Sequence, residues 1–196
     1  MAITARSDVS WDRMSNAIER VRDRLLRAAR ALDAARVPYG VAGGNAVAAW
    51  VSRVDDAAVR NTQDVDILLR RADLADARAA LEQVGFMYLL VASVDMFLDG
   101  PNAKARDAVH VVFANERVRP EYAIAAPDVT DVERTAAFSL LTLEALVRMK
   151  LTSFRDKDRV HVRDLIDVNL VDASWAPRLP PSLGARLQAL LDDPHG

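Results

Sequence analysis

VAGGNAVAAW, residues 41–50, places two adjacent glycines between a short apolar run and a helix-like run. TQDVDILLRR, residues 62–71, follows it and sets Asp64 and Asp66 one residue apart in a second apolar run. The first pattern is typical of a strand that turns sharply into a helix, and the second is typical of a half-buried strand. Their order raises the question of whether the glycines and the aspartates form one site.

Asp64 and Asp66 fit two interpretations. Side chains alternate along a strand, so the two carboxylates share one face, with backbones about 6–7 Å apart. Such a pair repels itself and costs desolvation, and a cation would relieve both penalties. Mg²⁺ prefers carboxylate oxygens and often completes its shell with substrate phosphates. Alternatively, Asp64 caps a solvated strand end, which is the commoner reason for such a pair when it stands alone.

Gly43 and Gly44 also fit two interpretations. Glycines between a strand and a helix let backbone N–H groups approach a phosphate closely, and the helix N-terminus favours negative charge. A tight turn that needs positive φ has the same sequence. Taken with the aspartates, the glycines predict a phosphate cradle beside a metal site, and the ligand would be a nucleoside triphosphate with Mg²⁺.

Composition limits the class of protein. The chain has 196 residues, 51% of them hydrophobic, and a formal net charge of -2. It can bury an ordinary core, and it has no general basic field for nucleic acid. No cysteine is present, which excludes disulfides and thiolate chemistry. Residues 1–13 lack a signal-peptide core and no apolar run is long enough to span a bilayer, so we expect a cytoplasmic protein without membrane contact.

Hydrophobic periodicity predicts an α+β fold with a mixed β-sheet flanked by helices. The predicted helices cover residues 11–37, 45–53, 73–83, 142–154, 157–171 and 182–191, and the predicted strands cover 39–42, 64–69, 86–92, 95–98 and 108–114. Residues 115–139 show no regular period. We therefore divide the chain into an α/β core, residues 1–138, and a C-terminal helical segment, residues 139–196, that packs on the core.

The pattern GGNAVAAW followed by RNTQDVDILL resembles the nucleotidyltransferase superfamily typified by DNA polymerase β. It is most similar to small bacterial members, namely lincosamide and aminoglycoside nucleotidyltransferases and the toxins of abortive-infection toxin–antitoxin systems. Arg60 and Thr62 match an Arg-x-(His/Thr) pair found just before the aspartates in the first two groups. The resemblance covers residues 39–114, and KLTSFRDKDRVHVRDLIDV, residues 150–168, matches toxin-type members more loosely.

The resemblance implies that Asp64 and Asp66 hold Mg²⁺ (or Mn²⁺) and that a third carboxylate on a neighbouring strand activates the attacking hydroxyl. His110 occupies the position of that carboxylate. Three interpretations stay open: His110 acts as the general base, Asp107 or Glu116 reaches the site through a bulge or loop, or the catalytic set is incomplete.

The resemblance also implies nucleotide-binding residues outside the aspartates. They are Gly43, Gly44, Asn45, Arg60, Thr62, Lys150 and Lys157. For the two lysines the alternative is a solvated helix face, with His161 on the surface.

The predicted function is Mg²⁺-dependent transfer of a nucleoside monophosphate from a nucleoside triphosphate to an RNA end such as tRNA, a protein hydroxyl or a small molecule. A toxin role with an antitoxin partner belongs to this prediction. The alternative is a catalytically degenerate nucleotide-binding or regulatory protein. A third interpretation is an unrelated α/β protein with a surface aspartate pair and a structural glycine turn, and a structure in which Asp64 and Asp66 do not face that turn would end the nucleotidyltransferase interpretation.

Overall fold

The computed structural model describes residues 10–193. Expectations for residues 1–9 and 194–196, including most of the segment examined for a signal peptide and the outer ends of both predicted parts, lie outside the described residues. The helices are α1 (Trp11–Ala34), α2 (Gly43–Val51), α3 (Leu74–Gln83), α4 (Leu143–Ser153), α5 (Asp156–Asp167) and α6 (Pro181–Asp192). The strands are β1 (Tyr39–Ala42), β2 (Val65–Leu69), β3 (Met87–Val91), β4 (Val94–Leu98), β5 (Ala108–Phe113), β6 (Val132–Arg134) and β7 (Ser139–Leu141).

The strands form one mixed sheet in the order β3-β4-β5-β2-β1-β7-β6. The pairs β2–β5 and β1–β7 are parallel, and the other neighbours are antiparallel. With helices on the sheet and at the C-terminal end of the chain, this architecture confirms the predicted fold class. The central strands are β5, β2 and β1, so the aspartate strand lies in the middle of the sheet.

Each face of the sheet carries a separate hydrophobic core. Helices α1 and α3 pack on one face, against Val65, Ile67 and Leu69 of β2. Helices α2, α4, α5 and α6 pack on the other face, against Leu68. Because side chains alternate along a strand, Asp66 lies on the same face as Leu68. The fold thus places this carboxylate among α2, α4 and α5.

The observed elements differ from the predicted ones in two ways. Gly43 and Gly44 form the first turn of α2 and do not form a separate turn before it. The strands β6 and β7 were not predicted, because each has only three residues and offers too short a pattern for period analysis. Residue 139 begins β7, which pairs with β1 of the core, and the predicted boundary after residue 138 stays a prediction.

Helix α1 is longer than the surface that covers it. The predicted apolar stripe includes Met14 and Ile18, yet Met14 is 52% exposed and Ile18 is 46% exposed. A 24-residue helix is about 36 Å long at 1.5 Å per residue, and only its second half, with Leu25 and Leu32, packs on the sheet. In residues 10–193, no helix combines the length and apolar character needed to cross a bilayer.

Candidate active site

A cavity of about 750 Å³ opens on the Asp66 face of the sheet. Its walls come from α2, the loop before β2, strand β5, the segment that follows β5, and helices α4 and α5. The predicted site residues that line it are Gly43, Gly44, Thr62, Asp64, Asp66, His110, Lys150 and Lys157. Two cavity residues that the sequence did not assign to the site are Asp158 and His161.

Gly43 lies against the carboxylate of Asp66. The φ angle of Gly43 is +65°, and a Cβ built on it would lie 1.8 Å from Asp66 Oδ2. Any other residue would therefore displace the carboxylate as well as strain the backbone. Asp66 thus faces Gly43, and the arrangement that would have ended the nucleotidyltransferase interpretation is not found.

Burial governs the ionisation of Asp66. Desolvation raises the pKa of this carboxyl, while the charges of Lys150 and His110 act in the opposite direction. A half-buried carboxylate of this kind is stabilised by a cation at its side.

Asp64 lies one residue before β2, at the rim of the cavity. Its Oδ2 is 3.9 Å from Lys157 Nζ. Asn45 Nδ2 donates a 2.7 Å hydrogen bond to the backbone oxygen of Asp64, which ties the start of α2 to the start of β2. A Cβ on Gly44 would lie 2.8 Å from Thr62 Oγ1, so the same two segments also touch there. Asn45 and Thr62 therefore position the aspartates, and a direct contact of Asn45 with phosphate stays a prediction.

Lys150 belongs to a buried polar network beneath the cavity. Its Nζ donates to Asp158 Oδ1 at 3.1 Å, and Asp158 is fully buried. Asp158 Oδ2 accepts hydrogen bonds from Ser153 Oγ and Arg155 Nε, each at 2.7 Å. Although burial acts to raise it, the hydrogen bond from Arg155 and the charge of Lys150 lower the pKa of Asp158 to about 2. The alternative of a solvated helix face is wrong for Lys150, which is 6% exposed.

His110 lies next to Asp66 across the parallel pair β5–β2, where the two residues are register partners. Asp107 Oδ1 lies 3.8 Å from Arg24 Nη2 of α1, on the other side of the sheet. Both carboxylate oxygens of Glu116 accept from Arg71 at 2.7 Å. Within residues 10–193, no group of three or more histidine, aspartate and glutamate side chains is suited to hold a metal. Asp107 therefore lies outside the cavity, whereas Glu116 lines it, and His110 as base, Glu116 in the place of the third carboxylate and an incomplete catalytic set all stay predictions.

Arg60 is the predicted site residue that the structure keeps apart from the aspartates. Its Nε donates to Asp164 Oδ1 of α5 at 2.6 Å. Both residues line a separate, smaller hollow with Asp167. Arg60 therefore joins the loop before β2 to α5.

His161 was expected on the surface, but it lies half-buried in the cavity wall. Burial, with the positive charge of Lys150 next, lowers its pKa to about 4, so its imidazole is neutral at pH 7. The sequence signal that could have located it is its spacing of four residues from Lys157, which puts both on one face of α5.

The donor set fits a hard divalent cation. Asp64 and Asp66 supply carboxylate oxygens from positions separated by one residue, Asp64 at the rim of the cavity and Asp66 half-buried within it. Two carboxylates plus substrate phosphates are a usual set for Mg²⁺ or Mn²⁺. Lys150 and Lys157 line the same cavity, and Lys157 Nζ lies 3.9 Å from Asp64 Oδ2.

Two solved structures resemble this chain over most of their length. The solution structure of the antibiotic-resistance factor ANT(2'')-Ia has a TM-score of 0.54 and 12% identity, over 91% of this chain and 92% of that one. A nucleotidyltransferase-like protein from Paracoccidioides brasiliensis has a TM-score of 0.53 and 16% identity, over 90% of this chain and 89% of that one. No family model and no curated protein matches the sequence.

The chain therefore has the nucleotidyltransferase fold, which confirms the resemblance seen in GGNAVAAW and DVDILL at the level of structure. At identities of 12% and 16% the similarity concerns the fold alone. The chemistry has to be inferred from the residues of the cavity.

Proposed function

We propose that the chain is a Mg²⁺-dependent nucleotidyltransferase that transfers a nucleoside monophosphate from a nucleoside triphosphate to an acceptor hydroxyl. The observation that carries the proposal is the convergence of Asp64, Asp66, Lys150 and Lys157 on one cavity that Gly43 closes against Asp66. In this reaction the acceptor oxygen bonds to the α-phosphorus, the bond between the α-phosphorus and the oxygen that joins it to the β-phosphorus breaks, and pyrophosphate leaves with that oxygen. The hydroxyl proton passes to a base.

The roles of the residues follow from their places in the cavity. Asp64 and Asp66 would hold the metal ions, which when bound supply charge stabilisation to the phosphoryl oxygens. Lys157 is exposed in the cavity wall, where its ammonium group would meet the triphosphate, whereas Lys150 is held by Asp158 and supplies a buried positive charge near Asp66. The backbone N–H groups at the start of α2 lie where a helix N-terminus favours phosphate.

His110 is the proposed base of the reaction. It is the register partner of Asp66 and lines the cavity, so it lies beside the position where the acceptor oxygen would meet the α-phosphorus. A neutral imidazole can accept the hydroxyl proton.

Label transfer tests the proposal. Protein, Mg²⁺ and each α-labelled nucleoside triphosphate would be incubated in turn with total RNA, total protein and a panel of aminoglycosides. We expect label on one acceptor class and a loss of about 100-fold or more in Asp66→Asn, because even the outer partners of metal ligands cost 10–100-fold. Asp107→Asn is the matched control, since that carboxylate pairs with Arg24 outside the cavity. Equal labelling by both variants would contradict the proposal.

A second candidate function is nucleotide binding without turnover, as in a regulatory protein. It is favoured by the observation that Asp107 pairs with Arg24 and Glu116 with Arg71, and that residues 10–193 hold no group of three or more acidic or histidine side chains suited to a metal. Its distinguishing result is Mg²⁺-dependent nucleotide binding that Asp66→Asn abolishes, with no label on any acceptor.

The acceptor and the biological role are further proposals. An antibiotic acceptor is supported by the name of the resistance factor ANT(2'')-Ia, which has the same fold. An RNA end, and a toxin role opposed by an antitoxin in the cytoplasm, are supported by the toxin-like segment 150–168. Growth arrest on expression, relieved by Asp66→Asn, would favour the toxin role, and aminoglycoside resistance on expression would favour the antibiotic acceptor.

A further inference from the structure

The imidazole of His161 has a buried nitrogen that forms no hydrogen bond within residues 10–193. Its Nδ1 is buried and has no hydrogen-bond partner among those residues. A buried polar atom that stays unpaired destabilises the folded protein, so such an atom in a cavity wall points to a bound ligand. The side chain lies in the wall of the cavity that holds Lys150, Lys157 and the aspartates.

We propose that His161 is a further nucleotide-binding residue and that its imidazole takes up a proton when the triphosphate binds, a step that rests on the proposed nucleotidyltransferase function. The protonated ring then has two N–H donors, and it donates to phosphate oxygen. His161 would in this way serve the phosphate end of the nucleotide together with Lys157, one helical turn before it on α5.

The charges around His161 explain why the proton arrives with the ligand. Lys150 of α4, Lys157 of α5 and Arg60 of the loop before β2 act against protonation, and Asp158 of α5 acts in favour. The triphosphate carries several negative charges, so it would reverse this balance. The low pKa of His161 in the free protein agrees with this arrangement. A neutral ring avoids adding a further positive charge beside Lys150 and Lys157, which together form the lysine wall of the cavity.

The other helices packed against α5 do not supply a competing charge to the ring. Helix α2 has no ionisable side chain. On α6, Arg186 donates to the backbone oxygens of Leu151 and Thr152, and Asp192 accepts from Gln188. Apart from Arg60, which lies outside the cavity, the charged residues that set the protonation of His161 therefore line the cavity.

The pH dependence of nucleotide affinity tests the proposal. The pKa of His161 is about 4 in the free protein, and the proposal requires a higher pKa in the nucleotide complex. The affinity for the nucleotide should therefore rise as the pH falls through the pKa of the complex, by up to tenfold per pH unit. Dissociation constants for ATP with Mg²⁺, or for whichever nucleoside triphosphate binds, would be measured from pH 8 to pH 5. His161→Asn keeps a hydrogen-bonding group near the position of Nδ1 but cannot take up a proton. We expect the ratio of variant to wild-type dissociation constants to increase on acidification.

The ratio isolates His161, because the titrations of Asp66 and of the nucleotide itself occur in both proteins. Calorimetry in two buffers of different ionisation heat would show proton uptake on binding by the wild type and less uptake by His161→Asn. Arg159→Gln is the control for altered charge on α5, since Arg159 pairs with Asp156 outside the cavity. Thermal unfolding reports whether the variant folds, and His161→Gln replaces it if the Asn variant does not.

The possible failures are distinguishable. Nucleotide binding with the same pH dependence and the same proton uptake in both proteins overturns the role of His161 and leaves the proposed function standing. A wild-type protein that binds no nucleoside triphosphate at any pH overturns the proposed function and the role of His161 with it.

Discussion

Gly43 has a φ of +65°, and the volume that a Cβ would need is taken by Asp66 Oδ2. We expect Gly43→Ala to destabilise the protein by about 1–3 kcal/mol through backbone strain, and in addition to displace the carboxylate and abolish Mg²⁺-dependent nucleotide binding. Urea unfolding and a nucleotide titration would measure the two effects separately.

Gly85 is the matched control for this substitution. Its φ is +90°, and nothing lies within 4 Å of the Cβ that it lacks. Gly85→Ala therefore carries the backbone strain without the clash, and it should bind nucleotide normally. If Gly43→Ala also bound nucleotide normally, the close approach of α2 to Asp66 would have no part in the site.

Ion pairs and hydrogen bonds of the buried Asp158 stabilise the first turn of α5. Asp158 accepts hydrogen bonds from the backbone N–H and guanidinium of Arg155, and Lys150 of α4 donates to it from a buried position. We expect Asp158→Asn to cost about 3–5 kcal/mol, because it leaves the buried charge of Lys150 without its partner. Asp158→Asn combined with Lys150→Met should recover part of the loss. Denaturant unfolding of the four proteins in this cycle gives the coupling.

The pH dependence of stability has a definite sign in this helix. The pKa of Asp158 in the folded protein, about 2, is below its ordinary value of 3.8, so its contribution is present above pH 4 and is lost as pH falls towards 2. Asp156 is the control, because its side chain is 92% exposed in the same helical turn. Asp156→Asn should change stability by less than about 0.5 kcal/mol, and an equal loss in both variants would contradict a special role for the buried pair.

Helices and strands whose hydrophobic pattern repeats over many residues could be predicted from the sequence. Elements that are fixed mainly by tertiary contacts could not. The strand–glycine–helix unit and the aspartate strand are confirmed because each has its own local pattern. Strands β6 and β7 exist because they extend the sheet beside β1, which no three-residue pattern reveals. In the same way, spacing placed Lys157 on a polar helix face but did not show that His161 is half-buried, or that Arg60 pairs with Asp164.

At the scale of the whole molecule, the cavity has walls from distant parts of the chain. Asp64 and Asp66 come from the loop and strand at residues 64–66, whereas Lys150, Lys157 and His161 come from α4 and α5. Strand β7 pairs with β1 and leads directly into α4, so the sheet and these helices are joined by hydrogen bonds as well as by a shared core. Ligand binding in this cavity should therefore stabilise the sheet and the C-terminal helices together.

A thermal unfolding experiment makes this quantitative. With nucleotide and Mg²⁺ at about 100 times the dissociation constant, binding adds about 2.7 kcal/mol. For a chain of this size the unfolding midpoint should rise by about 5–10 °C. We expect one transition that moves as a whole, and no shift in Asp66→Asn or with a nucleoside that lacks phosphates. Two transitions of which only one moves would instead show that residues 139–196 unfold independently of the sheet, and that the lysine wall does not share the ligand with the aspartates.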